Sequence, residues 1–180
     1  MKLSVTQKDI LLNLVFAEIK DHLGAYSQSQ LPAEDEQPEL YNKCGAFVTL
    51  YVNHQLRGCI GTFSEEQPLI ENTRRMAIQS AFHDTRFNPI NENDLDRLDI
   101  EISVLTPRRR IFGPEEIEIG THGIYIESQG RRGTFLPQVA TSHNLDAVSF
   151  LELCCENKMG LPGDAWKNAD LFVFEALILR

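Results

Sequence analysis

Apolar side chains recur at a helical period over the first 24 residues, and this pattern predicts an N-terminal helix. The apolar positions are Val5, Ile10, Leu11, Leu14, Val15 and Leu23. Thr6 and Asp9 resemble a capping box with a shorter acid, and Gly24 is suited to end the helix. We expect this helix to precede the main body of the fold.

A polar, acidic segment with two prolines follows the helix, at residues 27–39. Such a composition is typical of a mobile loop. We therefore predict a single domain with three parts: an N-terminal helix at residues 1–24, a mobile acidic loop at residues 25–40 and a main body at residues 41–180.

A hairpin is predicted next. Residues 45–52 are rich in β-branched and aromatic side chains, and Leu56–Ile60 is expected to pair back after a turn at residues 53–55. The following pattern is helical, with small residues that allow close packing on a sheet; its stripe consists of Leu69, Thr73, Met76, Ala77, Ser80 and Ala81. Strict alternation of apolar and polar residues then predicts a half-buried strand at 98–104.

The second half of the chain also predicts paired strands, at residues 122–127 and 133–140. A helix is expected around Ala147–Cys154, with Gly160 as its stop, and a last strand at Leu171–Leu179. The strands come mostly as hairpins with helices between the pairs. The predicted fold class is therefore α+β, with a largely antiparallel sheet and packed helices.

Charge and composition restrict the function. The net charge of −9 argues against unassisted nucleic-acid binding, which needs a positive surface. The two dense basic runs, residues 108–110 and 131–132, are interpreted as solvated loop clusters. No apolar stretch reaches the length of about 20 residues that spans a bilayer, and polar residues interrupt any signal-peptide pattern. We predict a cytoplasmic protein without membrane contact.

The four cysteines are Cys44, Cys59, Cys154 and Cys155. Their spacing suits neither a disulfide framework nor a zinc site, so we expect reduced thiols. Cys154 is expected in the core and Cys155 at the surface of their helix. No histidine pair has metal-ligand spacing and no phosphate-loop or dinucleotide motif is present, so we predict no metal and no cofactor.

One run in the second predicted strand combines a cation, a thiol and two glycines. Leu56–Phe63 contains Arg57, Gly58, Cys59 and Gly61. A glycine inside a strand indicates a bulge or a close approach of another backbone. Arg57 and Cys59 are two residues apart, so a regular strand would place both on one face.

Several ordered blocks together resemble the AMMECR domain family. They are Gly45–Leu50, Leu56–Gly61, Asp84–Phe87, Ser103–Thr106, Gly120–Ile124, Leu136–Ala140 and Lys158–Pro162 with Trp166. Thr85 replaces the proline of the family's usual Asp-Pro-Arg-Phe, and Leu145 stands where a tryptophan is often found. The resemblance implies an α+β fold with a main sheet and a smaller subdomain. It also implies a link to Memo-like and radical-SAM proteins, the AmmeMemoRadiSam system, which hints at modification chemistry.

The blocks contain candidate catalytic residues. In this hypothesis Cys59 is the nucleophile of acyl, amide or group transfer, His122 is the base, and Asp84 orients the imidazole. Such a cysteine needs a cation, a helix N-terminus or a histidine nearby.

The leading hypothesis is instead a binding module for a small anionic or peptide-like ligand. Arg57, Arg86 and the backbone amides near Gly58 and Gly61 would form the concavity that receives a phosphate, carboxylate or peptide terminus. Gln138 is a further candidate ligand-binding residue.

A purely structural role is the third interpretation of the same residues. In it, Arg57 pairs with Asp84 or with a strand carboxylate such as Glu101 and pins the hairpin, and Cys59 fills the core. Asp84 and Arg86 then satisfy each other or cap the preceding helix, and Gln138 satisfies loop carbonyls.

Overall fold

The structure, a computed structural model, describes residues 2–25 and 31–180. The chain divides into two compact units. The first unit runs to Leu105 and includes Leu177–Arg180, and the second unit is Thr106–Ala176. Helices pack on antiparallel strands in both, and the second unit is the smaller. The predicted α+β class with a smaller subdomain is confirmed.

Among its described residues, the first unit contains two α-helices and three strands, with the end of a further strand beside them. The elements are α1 (Val5–His22), β1 (Ala46–Val52), β2 (Gln55–Thr62), α2 (Leu69–Phe82) and β3 (Leu98–Leu105), and short 3-10 helices lie at Pro38–Tyr41 and Glu92–Arg97. β1 lies between β2 and β3, and the end of β7 (Asp170–Leu179) is next to β3.

The core of the first unit lies on one face of β1. Val48 and Leu50 are fully buried there together with Ile102 of β3. Helix α2 packs on β1 and β2, and α1 packs on α2 and β3. The alternation along β1 therefore directs Thr49 and Tyr51 to the opposite face.

The N-cap of helix α1 lies two residues earlier than predicted, at Ser4 instead of Thr6. Ser4 Oγ accepts a hydrogen bond from Gln7 N at 3.2 Å, and Gln7 Oε1 accepts one from Ser4 N at 2.9 Å. This is a capping box, so the predicted Thr6–Asp9 box is wrong. The helix can begin at Val5 because Ser4 supplies an oxygen to one of the free N–H groups of its first turn.

The predicted hairpin is confirmed. Asn53 and His54 adopt positive φ angles of 51° and 62° and form the turn between β1 and β2. Two consecutive positive φ angles are the geometry of the tight turn that matches strand twist. The register of β1 places Thr49 opposite Cys59 of β2 and opposite Glu101 of β3.

The predicted loop at residues 25–40 is only partly described, because residues 26–30 lie outside the described residues. Leu40 lies at the end of this predicted loop, in the short 3-10 helix Pro38–Tyr41, and is fully buried in the first core. The mobility of this loop and the single-domain organisation stay predictions.

The second unit contains β4 (Arg109–Ile111), β5 (His122–Ser128), β6 (Arg131–Phe135) and most of β7, with α3 (Pro137–Ser142) and α4 (Ala147–Cys154). Strand β5 pairs with β6 and β7, and β4 pairs with β7. Phe150 and Leu151 of α4 are fully buried against Ile124 and Ile126 of β5 in a separate core.

Two sequence predictions in this unit are wrong. The strand predicted to Ala140 ends at Phe135, and α3 begins at Pro137. Proline has no N–H for a sheet ladder but fits the first turn of a helix. Cys155, expected at the surface, is fully buried. The helix continues there as a π-helical turn, whose wider spacing changes the direction in which side chains point.

No helix within residues 2–25 and 31–180 is long and apolar enough to cross a membrane.

Candidate functional site

The candidate site is built around Cys59, in the middle of β2. Its thiol is half-buried and faces Thr49 on the neighbouring strand. The hydroxyl of Thr49 donates a hydrogen bond to Cys59 Sγ at 3.3 Å. The sulfur therefore lies on the sheet face opposite the first core, beside a polar side chain.

Asp84 and Arg86 hold the backbone of Cys59. Asp84 Oδ2 accepts from Cys59 N at 2.9 Å, and Arg86 Nη2 donates to Cys59 O at 2.8 Å. Strand β2 is at the edge of its sheet. The pair thus satisfies the free backbone groups of Cys59 as a further strand would.

Asp84 and Arg86 are also bound directly to each other. Arg86 Nε and Nη2 donate to the two carboxylate oxygens of Asp84 at 2.9 and 2.7 Å. The side chain of Asp84 is only 5% exposed, whereas that of Arg86 is 59% exposed. The hydrogen bond from Arg86 is the main reason that the pKa of Asp84 lies well below its usual range. Asp84 is therefore an ionised carboxylate at neutral pH.

The two glycines of the run are positions of close packing. A Cβ atom on Gly58 would lie 2.1 Å from the carbonyl oxygen of Ser80 in α2, and one on Gly61 would lie 2.1 Å from the ring of Phe47. The next amide along β2, Ile60 N, donates to Ser80 Oγ at 3.0 Å. Neighbouring groups of the fold therefore already bind the amides of Cys59 and Ile60.

Arg57 has different partners from those that the structural interpretation predicted. Its Nη1 donates to Asn88 O at 2.7 Å, and its Nη2 lies 3.4 Å from Asp94 Oδ2. Pairing with Glu101 is wrong because β1 separates β2 from β3, and pairing with Asp84 is wrong because Arg86 is bound there.

His122 and Gln138 belong to the second unit. His122 begins β5, and its Nδ1 accepts a hydrogen bond from Glu118 N at 3.0 Å. Gln138 lies exposed in the first turn of α3. The catalytic role of His122 and the ligand contact of Gln138 stay predictions.

Sequence reasoning missed the polar residues that lie across the sheet from Cys59. Thr49 and Glu101 share its row of side chains, and Tyr51 lies next along β1. Burial is the main cause that raises the pKa of Tyr51, and the nearby carboxylate of Glu101 raises it further. The alternation along β1 indicated that Thr49 and Tyr51 share a face. Only the strand order could show which residues stand opposite them.

The described residues contain no group of three or more histidine, cysteine or acidic residues that could hold a metal ion. All four cysteines are free thiols.

Fold and site together define a class of α+β protein with two units, in which a charge pair covers the strand edge at a half-buried cysteine. The chain belongs to the AMMECR1 family, whose model matches residues 12–179. The resemblance drawn from the motif blocks is thus confirmed.

Two similar proteins from archaea support the family assignment. Protein PH0010 of Pyrococcus horikoshii is 37% identical over 93% of this chain and 85% of its own length. Protein MK0488 of Methanopyrus kandleri is 37% identical over 99% of this chain and 90% of its own. The crystal structure of PH0010 superposes with a TM-score of 0.83 and 36% identity, over 99% of this chain and 93% of that one. The link to Memo-like and radical-SAM proteins stays a prediction.

Proposed function

We propose that the first unit binds a small anionic or peptide-like ligand through Arg86, at the edge of β2. The observation that supports this is the way the guanidinium is held. Nε and Nη2 are bound to Asp84 and to Cys59 O, while more than half of the side chain is exposed. The guanidinium also lies close enough to the thiol of Cys59 to interact with it, and no other hydrogen bond of its Nη1 is found among the described residues.

A guanidinium held in this way is preorganised to bind an anion. The planar N–H groups of arginine match carboxylate and phosphate oxygens. Because Asp84 already restrains the side chain, binding loses less conformational entropy than with a free arginine. Because the charge of Asp84 offsets that of Arg86, Arg86 would recognise the ligand mainly through the geometry of its hydrogen bonds. A bound carboxylate would lie beside the thiol of Cys59.

Arg57 contributes less in this proposal, because Asn88 O and Asp94 already engage both ends of its guanidinium. The glycines contribute by letting α2 and Phe47 approach the strand.

A titration followed by NMR tests the proposal. Inorganic phosphate and triglycine are added separately, and the amide of Cys59 and the Nε–H of Arg86 are monitored. We expect saturable shifts at both positions, and about tenfold weaker binding in Arg86→Ala, as the loss of one charged hydrogen bond implies. Arg86→Lys keeps the charge without the planar N–H edge and is also expected to bind more weakly.

Arg74 provides a matched control for this titration. It is a half-exposed arginine whose Nε lies 2.7 Å from Glu18 Oε1, between the two helices. Arg74→Ala should bind both probes as the unmodified protein does. Equal binding by Arg86→Ala, with its fold intact by circular dichroism, would exclude the Arg86 site.

A cysteine-dependent reaction is the second candidate. It is favoured by the half-buried position of Cys59 and by the hydrogen bond from Thr49 to its sulfur. The other three thiols are buried: burial raises the pKa of Cys44 to about 11 and that of Cys154 to about 12, and it also raises that of Cys155.

Iodoacetamide labelling tests this candidate, because we expect it to modify Cys59 alone in the folded protein. Mass spectrometry should find one modified thiol in the folded protein and none in folded Cys59→Ser. After denaturation of the unmodified protein, all four thiols should be modified. A catalytic thiol should react faster near neutral pH than free cysteine does. A Cys59 rate that matches free cysteine across the pH range would count against catalysis.

A further inference from the structure

A cavity of about 570 Å³ lies beside β3 in the first unit, and neither Cys59 nor Arg86 lines it. Four consecutive residues, Leu98–Glu101, form part of its wall. Successive side chains of a strand point to opposite faces, so a cavity that all four line must lie along a strand edge. Strand β1 occupies one edge of β3 and the end of β7 lies next to the other, so the cavity lies at that second edge, beside Arg180, which directly follows β7. Its volume is in the range typical of small-molecule sites.

One side of the cavity is apolar. Leu12 of α1 lines it together with Leu98 and Ile100 of β3. All three pack against the first core and are only partly buried, so the rest of their surface faces the cavity. The ring of Tyr51 also contributes. An apolar body of modest size would bury this surface on binding.

The other side is acidic. Glu101 is 9% exposed and is bound by Arg180, whose Nε and Nη2 each lie 2.7 Å from Oε2. Asp99 Oδ2 lies 3.2 Å from His54 Nδ1. No described residue hydrogen-bonds the second oxygen of either carboxylate. The titratable side chains of the lining thus include two carboxylates, Asp99 and Glu101, and one guanidinium, Arg180.

We infer that this cavity binds a small amphipathic amine, with its apolar body on Leu12, Leu98 and Ile100 and its ammonium group on Glu101 Oε1. An ammonium group has three donors and no acceptor, which suits a carboxylate oxygen that has no other partner. The ring of Tyr51 adds an aromatic surface that attracts cations. An anion of the same shape would meet two carboxylates and a single guanidinium, that of Arg180, whose Nε and Nη2 are already bound to Glu101. This inference does not rest on the proposed Arg86 site.

Three probes of similar shape and different charge test the inference: phenethylamine, 2-phenylethanol and 3-phenylpropionate. Methyl NMR of Leu12, Leu98 and Ile100 reports on the cavity. We expect saturable shifts with millimolar phenethylamine, weaker binding of the alcohol, and none of 3-phenylpropionate. Saturable binding of 3-phenylpropionate as strong as that of the amine, or no saturation with phenethylamine, would overturn the inference.

Two variants test the acidic side and the apolar side of the cavity separately. Glu101→Gln should weaken phenethylamine binding about tenfold, as expected for one charged hydrogen bond. Glu18→Gln is the matched control, because Glu18 forms a similar 2.7 Å pair with Arg74 away from the cavity, and it should bind normally. Ile100→Trp keeps both carboxylates and fills the space, so it should abolish binding. If folded Glu101→Gln or Ile100→Trp bound phenethylamine normally, the assignment would be wrong.

Discussion

Asp84 accepts hydrogen bonds from the backbone of Cys59 and from three N–H groups of Arg86. Arg86 holds the pKa of this carboxyl well below its usual range. A depressed folded-state pKa stabilises the fold above the unfolded-state value of about 3.9, and the stabilisation is lost as the pH falls through the folded-state pKa. We expect Asp84→Asn to lower the free energy of unfolding by about 2 kcal/mol at neutral pH.

Urea unfolding at several pH values measures this difference. It should be largest near neutral pH and smaller at about pH 3, where the unfolded chain already carries the proton. Asp96→Asn is the control, since Asp96 is exposed. A cost for Asp84→Asn that stays constant from neutral pH to about pH 3 would contradict this account.

At the scale of the element, the start of α1 depends on Ser4 rather than on Thr6. Ser4→Ala removes the oxygen that accepts from Gln7 N, and we expect it to cost about 1 kcal/mol of unfolding free energy. Thr6→Ala lies inside the helix at an exposed position and should change stability little. Urea unfolding of the two variants shows which residue caps the helix. A larger loss of unfolding free energy in Thr6→Ala than in Ser4→Ala would favour the capping box predicted from the sequence.

A second prediction at the scale of the element concerns the close contact between β2 and α2. A methyl group on Gly58 would collide with the backbone carbonyl of Ser80, and a helix backbone cannot move without disturbing its packing. Gly58→Ala should therefore lower the unfolding free energy by about 1–3 kcal/mol.

Gly113→Ala is the matched control for this substitution. The Cβ atom there would meet only the end of the Glu115 side chain, which can rotate away. Both variants are compared by urea unfolding. Equal stability of Gly58→Ala and the unmodified protein would mean that the strand and helix are not in close contact.

For the whole molecule, the division into two cores predicts local responses to core truncation. Leu50 is fully buried in the first core and Phe150 in the second. Either residue replaced by alanine should cost about 3 kcal/mol or more. Hydrogen exchange followed by mass spectrometry should show faster exchange mainly in the unit that carries the change. A uniform increase across both units would indicate one cooperative structure instead.

Much of the fold could be predicted because its patterns are local. The alternation at 98–104 predicted β3, and the turn between β1 and β2 was placed correctly. The predictions failed where a neighbouring residue changed a local preference. Pro137 ended a run of strand-like residues by starting a helix, and the π-helical turn buried Cys155.

By itself, the sequence determined the α+β class, the family motifs and the presence of Cys59, Asp84 and Arg86 in them, because these depend on composition and short-range spacing. Tertiary structure alone decided that Asp84 and Arg86 hold the backbone of Cys59, and that Thr49 and Glu101 stand in its row. Those contacts join residues far apart in the chain, and strand order and register select them. The cavity beside β3 has the same origin, since Leu12, Tyr51 and Arg180 meet there only after the strands have paired.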